Sequence, residues 1–255
     1  MSNSFVQRLD NLSHLRETEV HLLESLCRNP RDVGSKTYIY RESSRTSRFP
    51  VLMSGWAARH QILRNGGRQI TRLMLPGDAH YFEASPGSLL HEEIVTLSPC
   101  KVAHVSHHEM ELAIESSTSI GKAMHNYGCM ENAILSSLVV NIGRRDALER
   151  MAFLICELHH RLGLIEGCVA HDMFDFPLTQ DDLADALGLT PVHVNRKLQQ
   201  LRQSEIIILR SKKMQILNLP KLQQIAGFNG SHLTRTPARK SPLRAQPHAS
   251  SSTSQ

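Results

Sequence analysis

Residues 179–201 read TQDDLADALGLTPVHVNRKLQQL, and the order of residue types along this stretch specifies two short helices joined by a tight turn. Thr179 followed by Asp182 fits the capping pattern in which a hydroxyl and a carboxylate three residues on satisfy each other's backbone N–H groups, so a helix starts here. Leu183, Ala184 and Leu187 form its inner face, and the small Ala184 allows a second helix to come close. Gly188 then supplies the turn, because it reaches positive φ without strain. Thr190-Pro191 restarts a helix, with threonine at the N-cap and proline at the first position, where a missing N–H costs nothing. Val194, Leu198 and Leu201 bury one side of this second helix. The other side presents Val192, Asn195, Arg196, Gln199 and Gln203, with His193 and Lys197 on its flanks. A helical hairpin inside a larger core would share the periodicity. It would not need cap, small residue, glycine, second cap and base-reading side chains in this order. The stretch is a helix-turn-helix, and the chain is expected to bind DNA sequence-specifically.

The residues that follow extend the motif. Ile206 to Arg210, then Ser211-Lys212-Lys213, then Met214 to Leu217 read as a β-hairpin with a basic tip, the wing of a winged helix, closed by a short helix from Pro220 to Phe228. Arg210, Lys212 and Lys213 are placed to meet backbone phosphates. The net charge of +5 is distributed unevenly: from Ile206 to the end there is no acidic residue and eight basic ones, which leaves the first 205 residues at about −3. A positive field at this end suits a polyanionic partner. Residues 229–255, rich in Ser, Pro, Thr and basic groups, are expected to be a disordered basic tail.

Upstream, the texture changes twice. Residues 13–27 are expected to form a helix capped by Ser13. From about 32 to 106 short apolar or alternating runs are broken by turn residues such as Ser54-Gly55, Asn65-Gly66-Gly67, Pro76-Gly77-Asp78 and Ser98-Pro99, the pattern of a β-roll. Beyond His107 the period becomes helical. Ile120, Met124, Tyr127, Ile134 and Leu138 form a heptad-like seam, with Glu131 in its polar slot. Periodicity leaves two readings of this seam open: packing on the chain's own β-roll, or pairing with a twin helix. A break is expected at Asn141-Ile142-Gly143, followed by a helix from Arg144 to Leu162 with Ala147, Met151, Leu154, Ile155 and Leu158 inward.

Other function classes find little support. No apolar run approaches the ~20 residues that span a bilayer, and the N-terminus lacks the form of a secretory signal, so a cytoplasmic location with no membrane partner is expected. The five cysteines, Cys27, Cys100, Cys129, Cys156 and Cys168, follow no zinc-ligand spacing and are expected to be reduced, packed thiols, with a redox-sensing thiol as the alternative. His107-His108-Glu109 and Glu157-Leu158-His159-His160 raise a metal-dependent enzyme as a rival, but neither has the spacing of a helical zinc site. No catalytic residue and no metal ligand is assigned. The remaining rival is a sequence-neutral architectural DNA binder.

With these residues in place the sequence resembles the Crp/Fnr family of bacterial transcription regulators, nearly end to end as far as Phe228. The resemblance is carried by Ser54-Gly55-Trp56-Ala57, Gly67-Arg68-Gln69-Ile70, Leu75-Pro76-Gly77-Asp78, Leu97-Ser98-Pro99-Cys100 and Leu178-Thr179-Gln180 through Leu201. It implies an α+β fold: a β-roll, jelly-roll-like sensor domain with its N-terminal helix (1–116), a long dimerisation helix (117–142) and a winged helix-turn-helix domain (143–228). It further implies a homodimer joined through Ile120, Met124, Tyr127, Ile134 and Leu138, a palindromic operator on double-stranded DNA, and RNA polymerase as a further partner. The expected DNA-contacting residues are Thr179 and Gln180 at the start of the first helix, Arg196, Asn195, Gln199 and Val192 toward bases, and Thr190, His193, Lys212 and Lys213 toward phosphates. By the resemblance Arg196 reads a guanine. Pro191 and Val192 depart from members that carry polar or charged base-reading residues there. Cyclic-nucleotide-binding members hold the phosphate with an arginine that the stretch from Ala79-His80-Tyr81-Phe82-Glu83 to His91-Glu92-Glu93 lacks, so cyclic AMP is not expected. The N-terminal cysteine cluster of iron–sulfur members is reduced to Cys27, so neither is an iron–sulfur cluster.

Overall fold

The computed structural model describes residues 2–42, 47–82, 91–231 and 233, so most of the basic tail lies outside the described residues. Two helices open the chain, α1 (Ser4–Leu12) and α2 (Glu17–Leu26). Where one helix over 13–27 is expected, Ser13 instead ends α1, donating its N–H to the Leu9 carbonyl. Glu19 starts α2 by accepting the Arg16 N–H (2.7 Å) and the Arg16 guanidinium (2.7 Å). The α1 helix, unforeseen from the sequence, buries Phe5, Val6 and Leu9 completely against the roll and the long helix.

The β-roll consists of two antiparallel sheets. One has the order β1-β7-β3, from Arg31–Val33, Cys100–Ser106 and Arg48–Ser54; the other has the order β2-β6-β4-β5, from Tyr38–Tyr40, Glu93–Thr96, Ala57–Ile62 and Arg68–Met74. Leu52, Ala57, Met74, Ile94, Cys100 and Val102 fill the space between them. The β4–β5 hairpin turns at the expected Asn65-Gly66-Gly67, with Gly66 at φ 81 and the Asn65 side chain accepting the Gly67 N–H. After α3 (His107–Ser116), Ser117 caps a long helix α4 (Thr118–Arg144). This helix runs through Asn141-Ile142-Gly143 without the expected break, because Asn141 is buried and donates to the Arg150 carbonyl (3.3 Å). The chain turns at Arg145 instead, where Asp146 and Glu149 cap α5 (Ala147–Gly163).

One buried cluster joins these parts. Asp78, in the turn after β5, is 1% exposed and meets Arg161 of α5 at 2.5 Å, Arg8 of α1 at 3.4 Å and Arg72 of β5 at 3.9 Å. Arg8 and Arg161 also donate to the Pro76 and Leu73 carbonyls, both at 2.9 Å. The approach of α1 depends on Gly77, at φ 89: a Cβ there would lie 2.5 Å from the Ser4 carbonyl oxygen. Burial alone would raise the Asp78 carboxyl's pKa. Arg161, Arg8 and Arg72, with the Leu75 N–H, overcome that and hold it below the usual carboxylate range.

Two outcomes follow from a paired buried charge. Asp78→Ala, which leaves the buried Arg8 without its carboxylate and takes one from Arg161 and Arg72, is expected to cost about 3–5 kcal/mol in urea unfolding. A carboxylate depressed in the fold stabilises it above its unfolded pKa of about 4 and loses that stabilisation as the pH falls through the folded value. The stability difference between wild type and Asp78→Ala is therefore expected to shrink below pH 4. A difference unchanged down to pH 2 would remove the charge argument.

Candidate nucleic-acid interface

The C-terminal unit is built from its caps. Thr179 Oγ1 accepts the Asp182 N–H (3.1 Å) while Asp182 accepts the Thr179 N–H (3.0 Å), starting α6 (Gln180–Leu187). Gly188 ends it in the left-handed region, at φ 61 and ψ 42. Thr190 Oγ1 then accepts the His193 N–H (3.3 Å) and Pro191 occupies the first position of α7 (Pro191–Gln203). Val194, Leu198 and Leu201 are buried against α6 and α5. The wing is a hairpin of β9 (Ile207–Arg210) and β10 (Lys213–Ile216), with Ser211 and Lys212 both at positive φ at its tip, and α8 (Leu219–Ala226) closes the unit on α5. A third strand, β8 (Met173–Asp175), pairs with β10 and was not expected. Its three residues are too few to show a period.

On the outward face of α7, Val192, His193, Arg196, Gln199 and Gln203 are exposed, while Asn195 is half-buried. Asn195 lines a small groove with Thr179, Gln180, Leu183 and Arg202, which draws it toward the start of α6 and away from the helix crest. Thr179, Gln180 and Thr190 are exposed at the two helix starts. Lys213 is engaged within the chain: its ammonium donates to Asp175 Oδ1 at 2.7 Å. Lys212 is exposed and borders a cleft between wing and roll that Trp56, Pro99 and Cys168 also line. The wing tip thus lies beside the β-roll.

The helix-turn-helix is also held from the roll. Arg68 at the start of β5 donates to Asp185 (2.6 Å) and Asp182 (2.7 Å), and the Gln69 side chain donates to the Asp185 carbonyl (2.7 Å). For Asp182, burial raises the pKa, but the Thr179 hydroxyl and N–H, and then Arg68, outweigh it and hold the group ionised below its ordinary range. The sequence marked Gly67-Arg68-Gln69-Ile70 only as part of a resemblance; its contact with α6 spans 114 residues and no local pattern reveals it.

Comparison with known proteins agrees with this architecture. Residues 149–225 match the Crp-like helix-turn-helix domain. The chain is 25% identical over 222 residues to the nitrogen fixation regulation protein FixK of Bradyrhizobium diazoefficiens, covering 84% of this chain and 88% of that one. It is 23% identical over 218 residues to the fumarate and nitrate reduction regulatory protein of Vibrio cholerae, covering 84% and 85%. The solved structure of FixK2 from Bradyrhizobium japonicum superposes with a TM-score of 0.68 at 22% identity, over 77% of this chain and 96% of that one. Residues 149–225 carry the Crp-like helix-turn-helix domain, and over most of its length the chain is similar to regulators of the Crp/Fnr type.

On the long helix α4 the structure places the expected dimer residues differently. Ile120, Met124, Tyr127 and Ile134 are each no more than 4% exposed and belong to the chain's own core, so they are not available to a second copy. Tyr127 Oη bonds both the N–H and the carbonyl of Ala79 in the roll. Leu138 is half-buried on the same side. Within the chain's own core α4 packs mainly on α1 and α3 and also touches β5 of the roll. The outward side of α4 carries Val139 and Val140, 61% and 49% exposed, in line with His125, Cys129 and Asn132, and Leu135, 50% exposed, stands at its margin beside the roll.

Between α4 and the roll lies a chamber of about 570 Å³. Two arginines that the sequence reading did not place there stand in its wall: Arg59 bonds Glu92 at 2.6 Å and meets Glu131 at 3.6 Å, and Arg72 bonds Glu131. Residues 83–90 of the stretch compared with cyclic-nucleotide binders lie outside the described residues. The cysteines are all unpaired; Cys27, Cys100 and Cys156 are buried, and burial pushes the Cys27 and Cys156 thiols up to about 12. No helix of the described residues is long and apolar enough to cross a membrane.

The Arg68 grip is open to test. With partly exposed partners it stabilises the position of α6 by about 1 kcal/mol. Arg68→Ala is therefore expected to raise hydrogen exchange in residues 180–187 by roughly fivefold while leaving the β7 amides unchanged. Equal exchange in α6 would show that helix packing alone holds the unit.

Proposed function

We propose that this chain is a DNA-binding transcription regulator that acts as a homodimer on a palindromic operator. The observation that carries the proposal is the outward face of α7, where Arg196 and Gln199 stand exposed on a helix whose start is fixed by the Thr190 cap and Pro191. A bidentate donor and an amide on such a face suit guanine and adenine edges in the major groove. Thr190 and His193 flank it toward phosphate, Lys212 adds a cation from the wing, and Lys213 contributes less because Asp175 already neutralises it. Thr179, Gln180 and Asn195 serve the backbone near the start of α6. The relatives' names as regulators support the same reading, as does the family resemblance for RNA polymerase as a further partner.

Dimerisation belongs to the outward side of α4. Asn132, Leu135 and Val139 follow one another at spacings of three and four, the repeat of a helix that pairs along its length. Such pairing would also cover one mouth of the chamber, since Asn132 and Leu135 line it. The signal that this chamber takes is not a cyclic phosphate on this reading. Arg59 and Arg72 already face Glu92 and Glu131, and a phosphate would have to displace carboxylates from both.

Selection of bound duplexes from a random pool at physiological salt tests the function: an enriched palindrome is expected. Binding that depends on salt but not on sequence would favour an architectural role instead. On the enriched operator, Arg196→Ala is expected to lose about 1–3 kcal/mol and to relax specificity at one base pair per half-site. Val139→Glu is expected to yield a folded monomer in sedimentation, whereas Ile120→Ala lowers the unfolding midpoint without changing the oligomer. If Val139→Glu sediments as a dimer, the twin contact lies elsewhere.

A further inference from the structure

Val192 is 60% exposed, the one large apolar side chain standing out on the α7 surface. It lies one turn ahead of Arg196 and two turns ahead of Gln199, at the spacing i, i+4, i+7 that lines side chains up along one helix face. A valine here brings no burial within the chain, and its branched Cβ disfavours the helix relative to alanine. The Thr190 cap and Pro191 fix the backbone on which it sits, and branching confines its χ1, so the two methyl groups are presented in one orientation. The major groove offers one apolar feature at its base edges, the 5-methyl group of thymine.

We propose that Val192 is a specificity-determining residue that selects a thymine by packing on its 5-methyl group. This rests on the reading of α7 as the DNA-reading helix. Four residues of helix advance about 6 Å, and base pairs are about 3.4 Å apart, so the thymine lies within about two base pairs of the guanine that Arg196 reads. Cytosine fails at that position because it lacks the methyl and presents an N4 donor that a valine leaves unpaired. The line of Val192, Arg196 and Gln199 thus reads one methyl group and two hydrogen-bonding edges.

The test replaces each thymine of the selected operator in turn by uracil, which removes the methyl and leaves the hydrogen-bonding edge intact. Wild type is expected to weaken roughly fourfold per substituted half-site at one position, the value of one buried methyl group, and to be indifferent at the others. Val192→Ala is expected to bind the thymine operator with the same loss and to be insensitive to uracil at that position. Arg196→Ala is expected to keep the sensitivity. Unchanged affinity of Val192→Ala for random-sequence duplex shows that the variant is folded. Wild-type binding indifferent to uracil at every position, or Val192→Ala as sensitive as wild type, overturns the proposal while leaving the regulator reading intact. A pool that yields no enriched duplex overturns both, and does so before any uracil is introduced.

Discussion

A carboxylate taken out of water must be matched on all sides, and Asp78 is matched by three arginines from three different elements. Removal of any one element would leave charge uncompensated in a dry site, so α1, β5 and α5 are constrained together. The extra positive charge is absorbed nearby. Glu157 meets Arg161 at 3.2 Å, and Glu131 meets Arg72, so the cluster extends into α4 and, through Arg59, to Glu92. What joins roll, long helix and helix-turn-helix unit is therefore a connected set of buried ion pairs as well as apolar packing. An apolar interface slides more easily than a set of directional charge-assisted bonds, so this device fixes orientation.

β5 is the element through which these constraints meet. It is an edge strand, paired with β4 on one side, and its other side is covered by helices. Arg68 and Gln69 grip α6, Thr71 and Arg72 border the chamber, and the Leu73 carbonyl accepts from Arg161. Seven residues thus touch the DNA-reading unit, the chamber and the buried cluster.

What could be read in the sequence is what short-range chemistry controls. The caps at Thr179 and Thr190, the turn at Gly188 and the hairpin at Asn65-Gly66 each need only residues within a few positions, and each forms where those residues stand. Arg161 lies 83 residues from Asp78, and Asp182 lies 114 from Arg68, and neither pairing leaves a local trace. The α4 helix shows the same limit in another form. It carries two apolar stripes, Ile120-Met124-Tyr127-Ile134 and Leu135-Val139, and period alone cannot tell which of them faces the roll. The stripe with the larger and more regular side chains is the one the family resemblance assigns to the dimer. Its regularity comes from having a whole domain to pack on. Asn141 misled in the opposite direction: it reads as a helix breaker, yet its side chain bonds into α5 and the helix continues.

The same contrast explains why the outward side of α7 carries more information than its burial suggests. Inward residues of a helix answer to many neighbours at once, and their identities are set by volume. An outward residue answers to water, for which polar groups with low ordering cost suffice. Arg196 and Gln199 meet that demand whether or not DNA is present. Val192 does not, since the chain neither buries it nor gains helix stability from it. An apolar group in line with two hydrogen-bonding ones is accounted for by a surface whose edges alternate between the same two chemistries, and the floor of the major groove is such a surface.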